Sequence, residues 1–277
     1  MEMHRKLLLR LTVPRSAAAH FFYIIAVTIP LTLFSAVIFA QAVHIQLTPI
    51  RGNVFLVQDE YPLSEENSAV YIGENFVTIV GATWTPGTAA KLMQEVAKIT
   101  DKPVREVIDT NYNLDRAGGN PYFKQHGIRV VSLQLTAELI RRNWAEMVKD
   151  ARRRQADYPD SPPALPDVTY PGSFDLQGGR VKAIYLGPSH APDDVFVYFP
   201  QEKILYGGCI LKEELGNLQF ADLQQYPRTL RKLQQLNLGY TTVIAGHDSP
   251  IHGPELVEHY LHLLDQHQQR AASIALN

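Results

Sequence analysis

Residues 104–115 read Val-Arg-Glu-Val-Ile-Asp-Thr-Asn-Tyr-Asn-Leu-Asp. Val104–Ile108 is rich in β-branched residues and reads as a strand. It breaks into a polar run that ends on Asp115. A rigid apolar strand thus delivers a carboxylate just past its end, and loops carried on such a scaffold are where sites are built. The same figure recurs along the chain. Residues 181–186 run into Gly187-Pro188-Ser189-His190, residues 203–206 into Gly207-Gly208-Cys209, and residues 241–245 into Gly246-His247-Asp248. If these strand ends share one edge, Asp115, His190, Cys209 and His247 converge. Taken singly, a Gly-His pair is a core or cap histidine and an aspartate is a turn residue. Four coincidences of one kind argue for a site.

The surrounding pattern supplies the scaffold. Residues 53–58, 69–72 and 76–80 read as early strands, and 129–133 as a later one. Pro86–Ile99 places Ala89, Leu92, Met93, Val96 and Ile99 on one helical face. A second helix is predicted from Thr136 to about Tyr158, where Pro159 and the Pro162-Pro163 pair stop it. In the second half, 195–199 and 203–206 form a hairpin, 226–236 is helical, and a closing helix starts at Pro254 and runs to about Gln269. No composition break divides these parts. The expectation is one α/β domain over residues 43–277, with sheets inside and helices outside.

The first 42 residues differ from the rest. Residues 1–20 carry Arg5, Lys6, Arg10 and Arg15 against one acid, Glu2; residues 21–40 have no charge, and Ala40-Gln41-Ala42 closes them. A basic start, an apolar run and small residues at a cleavage site predict a signal peptide over 1–42 and export to the periplasm. A retained membrane anchor is the alternative, since about 20 apolar residues also span a bilayer. The net charge of −2 offers no basic footprint for nucleic acid. The expected partner is a small-molecule substrate, with no obligate protein partner and a monomeric chain.

Cys209 is the only cysteine. An exported chain cannot pair it internally, and a lone thiol is a liability there unless it is buried or used. Carboxylate, thiolate and imidazole together suit zinc, and three protein donors leave a fourth position open, the mark of a catalytic site. His252, His259, His262 and His267 lie near or on the last helix and read as a solvated face.

Several stretches carry a family resemblance: Gly81-Ala82-Thr83-Trp84-Thr85-Pro86, Asp115-Arg116-Ala117-Gly118-Gly119-Asn120, Gly187-Pro188-Ser189-His190-Ala191-Pro192-Asp193, Gly208-Cys209-Ile210-Leu211-Lys212, Leu215-Gly216-Asn217-Leu218 and Gly246-His247-Asp248-Ser249-Pro250. Over nearly all of residues 43–270 the chain resembles metallo-β-lactamases, and among them the mono-zinc subclass B2. The resemblance implies an αββα sandwich, one zinc per chain held by Asp115, Cys209 and His247, and hydrolysis of β-lactams with carbapenems preferred, hence antibiotic resistance. It implies that Asn111 stands where the wider superfamily has a histidine, and that the helix from Thr136 roofs the cleft. It assigns catalytic parts to Asp115, His190 and position 113, and substrate binding to Lys212, Asn217 and Asn111. The subclass motif reads Asn-x-His-x-Asp, but this chain has Asn113 at the histidine position. A carboxamide cannot take a proton at neutral pH and is a poor zinc donor. The alternative expectation is therefore a zinc-binding homologue with weak or no hydrolysis. Two-zinc glyoxalase and RNA-processing members of the superfamily follow the motif aspartate with a histidine; here Arg116 follows it, which argues against those functions.

Overall fold

The computed structural model describes residues 43–275; the predicted signal segment, residues 1–42, lies outside them. Two mixed sheets face each other. The first runs in the order β1 (Ile45–Arg51), β2 (Val54–Asp59), β3 (Glu66–Ile72), β4 (Val77–Val80), β5 (Val104–Ile108), β6 (Arg129–Leu133) and β7 (Val168–Tyr170). Its first four strands are antiparallel and its last four parallel. The second sheet contains β8 (Phe174–Leu176), β9 (Val181–Ile184), β10 (Phe196–Phe199), β11 (Ile204–Gly208), β12 (Thr242–Ala245) and β13 (Ile251–His252), in the order β13-β12-β11-β10-β9-β8. Only β11 and β12 pair in parallel within it.

Parallel strands need crossovers, and helices supply them. The helix α1 (Pro86–Ile99) links β4 to β5. It starts at a capping box in which Thr85 and Thr88 satisfy each other's backbone N–H, with Pro86 in the first turn. The short α2 (Leu114–Ala117) and α3 (Asn120–Gln125) link β5 to β6, and α4 (Gln134–Arg154) links β6 to β7. Ala89, Leu92 and Val96 of α1 pack with Val77, Ile79, Val107 and Val130 on the outer face of the first sheet. On the second sheet α5 (Tyr226–Gln235) and α6 (Glu255–Ala275) do the same, burying Leu230, Leu233, Val257 and Tyr260 against Leu205 and Val243. Between the sheets lies a core of Val54, Leu56, Ile108, Val131, Val197, Phe199 and Ile244. The layers are α, β, β, α, as expected.

The structure adds to the sequence reading at the margins. β1 escapes the periodicity because Pro49 sits in it, and Pro is tolerated there because β1 is an edge strand whose register shifts between Pro49 and Arg51. The edge strands β7, β8 and β13 are too short for alternation to register. α4 begins two residues earlier than predicted and ends at Arg154, short of the proline cluster. Tyr158 is instead turned inward, where its hydroxyl donates to the Trp84 carbonyl at 2.8 Å.

Among the described residues, no helix is long and apolar enough to cross a membrane.

Candidate metal centre

The strand ends do share one edge. Asp115 sits in the first turn of α2, Cys209 directly follows β11 and His247 follows β12 by one glycine. That glycine is required: a Cβ at Gly246 would stand 2.2 Å from the Gly208 carbonyl oxygen, because the loops carrying Cys209 and His247 touch there. Gly118 has the same reason on the other side, where a Cβ would lie 1.9 Å from the Trp84 carbonyl oxygen.

The three donor atoms form a near-regular triangle. Cys209 Sγ lies 3.3 Å from Asp115 Oδ2 and 3.7 Å from His247 Nε2, and the last two atoms are 3.5 Å apart. Zinc bonds of about 2.0–2.3 Å place the donors of a tetrahedron about 3.3–3.8 Å from one another. The mixed O, S and N set therefore fits one zinc ion both in chemistry and in spacing. It is the one group of three or more acidic, cysteine or histidine side chains among the described residues with this geometry. His247 Nδ1 lies 2.7 Å from the Glu65 carbonyl oxygen, so Nδ1 carries the proton and Nε2 keeps its lone pair for the triangle.

Arg116, fully buried, stands behind the triangle. Its Nε is 3.0 Å from Asp115 Oδ2 and donates to Cys209 Sγ at 3.2 Å; Nη2 is 3.3 Å from His247 Nε2. Glu66, also fully buried, pairs with Nη1 at 2.8 Å, and the Gly246 carbonyl and Tyr206 hydroxyl complete the shell. Burial works against ionisation of Asp115, but Arg116 and then His247 outweigh it and hold the carboxyl well below the usual carboxylate range. Burial pushes the Cys209 thiol up to about 12, against the pull of Arg116. A bound dication reverses that preference, because a coordinating thiol is deprotonated.

The triangle opens into a cleft of ≈ 640 Å³, within the range of small-molecule sites. Trp84, Asn113, His190, Lys212 and Phe220 line it, and Met147 brings in one face of α4. Trp84 stacks on Tyr61 at 5.3 Å, which fixes it as wall. His190 is 8% exposed and its Nδ1 has no hydrogen-bond partner among the described residues. Burial, helped by nearby Lys212, lowers its pKa to about 3, so the imidazole is neutral. Lys212 is only 4% exposed and makes no ion pair with Glu213 or Glu214, which are exposed. Burial lowers its pKa, and among the described residues no acid hydrogen-bonds its ammonium, which borders the cleft.

The remaining predicted residues divide. Asn113 caps α2 and lines the cleft with its side chain free of the cap. Asn217 is at the exposed rim, where its Oδ1 accepts from the Gln219 N–H at 2.9 Å. Asn111, expected to touch substrate, is fully buried and does not line the cleft: its amide donates to Asp194 at 2.7 Å and its oxygen accepts from the Asn113 N–H at 3.0 Å. Its side chain is consumed in holding the loop. His252 lies in β13, while His259, His262 and His267 lie on α6, all away from the triangle. Sequence reasoning missed the burial of Arg116 and Asp194, since charged residues in loops read as solvated. The helix expected to roof the cleft does line it, through Asn143, Met147, Asp150 and Arg154 of α4, residues the sequence reading does not single out for the site.

A family model described as the metallo-beta-lactamase superfamily matches residues 62–247. The metallo-beta-lactamase IND-1 of Chryseobacterium indologenes is 27% identical over 208 residues, which cover 72% of this chain and 78% of that protein. A metallo-beta-lactamase type 2 of Elizabethkingia meningoseptica is 27% identical over 209 residues, covering 74% and 77%. The crystal structure of DIM-1 metallo-beta-lactamase superposes with a TM-score of 0.70 at 22% identity, over 81% of this chain and 99% of that one; at this identity the likeness shows the fold.

Proposed function

Because the chain belongs to the metallo-β-lactamase superfamily, we propose that it is a zinc-dependent hydrolase that opens the cyclic amide of β-lactams. Carbapenems are the preferred substrates, and one zinc is held per chain by Asp115, Cys209 and His247. The observation that carries this reading is the triangle of donors at 3.3, 3.5 and 3.7 Å on the floor of a cleft sized for a small molecule. The mono-zinc assignment is supported by the second flank of the cleft. Neither position 111 nor position 113 carries an imidazole, with Asn111 turned inward to Asp194 and Asn113 a weak donor, so His190 is the only imidazole on that side among the described residues. The domain is taken as residues 43–277, behind a cleaved signal over 1–42 that exports the enzyme to the periplasm.

When bound, the ion supplies Lewis acidity for the negative charge that develops as the amide C–N bond breaks. Asp115 turns Oδ2 to the other donors, and Oδ1 has no protein partner among the described residues. It orients the attacking water, and as the acceptor nearest the donor triangle it is a candidate for the water's proton, though Arg116 keeps its basicity low. His190, kept neutral by burial, offers a second acceptor across the cleft. Lys212 pairs with the substrate carboxylate, since it is an ammonium without an acid partner at the cleft wall. Asn217 adds a carboxamide at the rim. Asn113 donates or accepts a hydrogen bond there but moves no proton.

The test is purified protein with a carbapenem, following ring absorbance with and without a chelator. Chelator-sensitive loss of absorbance is expected. A zinc-loaded protein that leaves the ring intact would instead mark a zinc-binding homologue silenced at Asn113.

A further inference from the structure

Asp194 joins the two sides of the cleft. It is 2% exposed, and its carboxylate accepts three hydrogen bonds. Oδ1 takes the Asn111 amide at 2.7 Å; Oδ2 takes the Ser189 hydroxyl at 2.8 Å and the Ala191 N–H at 2.5 Å. Asn111 belongs to the loop after β5 of the first sheet, and residues 189–194 belong to the loop between β9 and β10 of the second. The contact therefore crosses from one sheet to the other. On one side it continues through Asn111 Oδ1 to the Asn113 N–H. On the other it holds both chain neighbours of His190. The Val195 N–H bond to the Thr110 carbonyl at 2.9 Å adds a backbone stitch beside it.

We propose that Asp194 is a positioning residue for the hydrolysis: it sets the placement of His190 and Asn113 in the cleft beside the candidate metal ligands. Among the described residues His190 makes no hydrogen bond through Nδ1, so the held backbone on either side of it is what fixes its ring besides packing. Asn113 likewise has no side-chain cap contact and is placed by its N–H. Among the described residues Asp194 hydrogen-bonds no candidate metal ligand; its bonds go to Asn111, Ser189 and Ala191, the supports of these two residues. The proposal rests on the hydrolase reading for its kinetic arm, and its spectroscopic arm is independent of that reading.

The hydrogen-bond arithmetic supplies a sharp test. In Asp194→Asn, one oxygen must replace two and the new amide faces the Asn111 amide, donor against donor. Adding Asn111→Asp repairs this. The carboxylate at 111 then accepts from both the new amide and the Asn113 N–H, while the oxygen at 194 keeps Ser189 and Ala191. Zinc-loaded, 15N-histidine-labelled native protein, the Asp194→Asn variant and the double variant are compared. The His190 ring signals are identified by their loss in His190→Gln. Asp194→Asn is expected to move those signals and to lower kcat for a carbapenem by about 10- to 100-fold. Zinc affinity in chelator competition should hold, and the double variant should restore both signals and rate. Unmoved His190 signals in Asp194→Asn, a loss of zinc affinity in step with kcat, or a double variant no better than the single one would each overturn the proposal. If Asp194→Asn does not fold, Ser189→Ala keeps the carboxylate and removes one donor. It should shift the His190 signals by less, and unmoved signals there overturn the proposal equally. A native protein inert toward every β-lactam would defeat the hydrolase reading, while the His190 signals would still decide the placement.

Discussion

A thiolate, a buried ammonium and a carboxamide each make a separable claim at the scale of the residue. Cys209 supplies the only sulfur donor, 3.3 and 3.7 Å from its two partners. Serine is a poor substitute because its hydroxyl stays protonated, so Cys209→Ser should drop zinc from about one per chain to near none. Elemental analysis after dialysis reads this, and full retention of zinc would remove Cys209 from the set. Lys212 lines the cleft with no acid hydrogen-bonded to its ammonium among the described residues, and the proposed reading has it hold an anionic substrate group in ground and transition states alike. Lys212→Ala should raise KM more than it lowers kcat; a collapse of kcat at constant KM would give the lysine a different part. Asn113 is where the cleft departs from the motif it resembles. Excess zinc should inhibit the native protein weakly, because in the proposed reading Asn111 and Asn113 replace imidazoles and leave His190 as the one imidazole, besides the ligand His247, lining the cleft among the described residues. Asn113→His should bring micromolar zinc inhibition and faster turnover together. Initial rates against added zinc for both proteins measure this, and strong inhibition of the native protein sinks the weakened-site argument.

At the scale of the element, the helices have different duties. α1 and α3 cover the first sheet and α5 and α6 the second, while α4 packs Ile140, Trp144 and Val148 beneath the aromatic wall of Tyr61 and Trp84. Arg154 at its end donates to the Leu63 carbonyl at 3.1 Å, tying the helix to the loop that also presents the Glu65 carbonyl to His247. The capping box of α1 is a cleaner place to test element stability. Thr85→Ala removes the side-chain acceptor for the Thr88 N–H at 3.1 Å and should cost about 1 kcal/mol. Denaturant unfolding checks this, and zinc content should not change, since the cap contacts no donor. Pro86 and the apolar spacing of α1 were readable from sequence because both are local signals. α2 was not, since four residues are too few for a period and their helical turn exists to aim Asp115.

At the scale of the whole domain, the candidate metal centre draws its donors from both layers. Asp115 comes from the first sheet and Cys209 and His247 from the second, so a bound ion would link the two layers at one edge. A ligand that binds only the folded chain stabilises it by mass action, about 4 kcal/mol at a thousandfold excess over Kd. Chelation should therefore lower Tm by on the order of 10 °C for a domain of this size. A Tm indifferent to chelator would mean that the site does not bridge the sheets energetically. The sequence alone determined what is encoded locally. It marked the strands that end in glycine or a polar run, the residue types suited to zinc, and through the resemblance the αββα layers and the donor triad. Tertiary structure decided what depends on partners distant in the chain. Arg116 is fully buried because residues 49, 93 and 130 positions away surround it with acceptors. Asn111 turns from the cleft because Asp194, 83 residues on, takes its amide. A side chain's burial and its hydrogen-bond partners are set by which loops meet at the sheet edge, and residue type and spacing carry no record of that meeting.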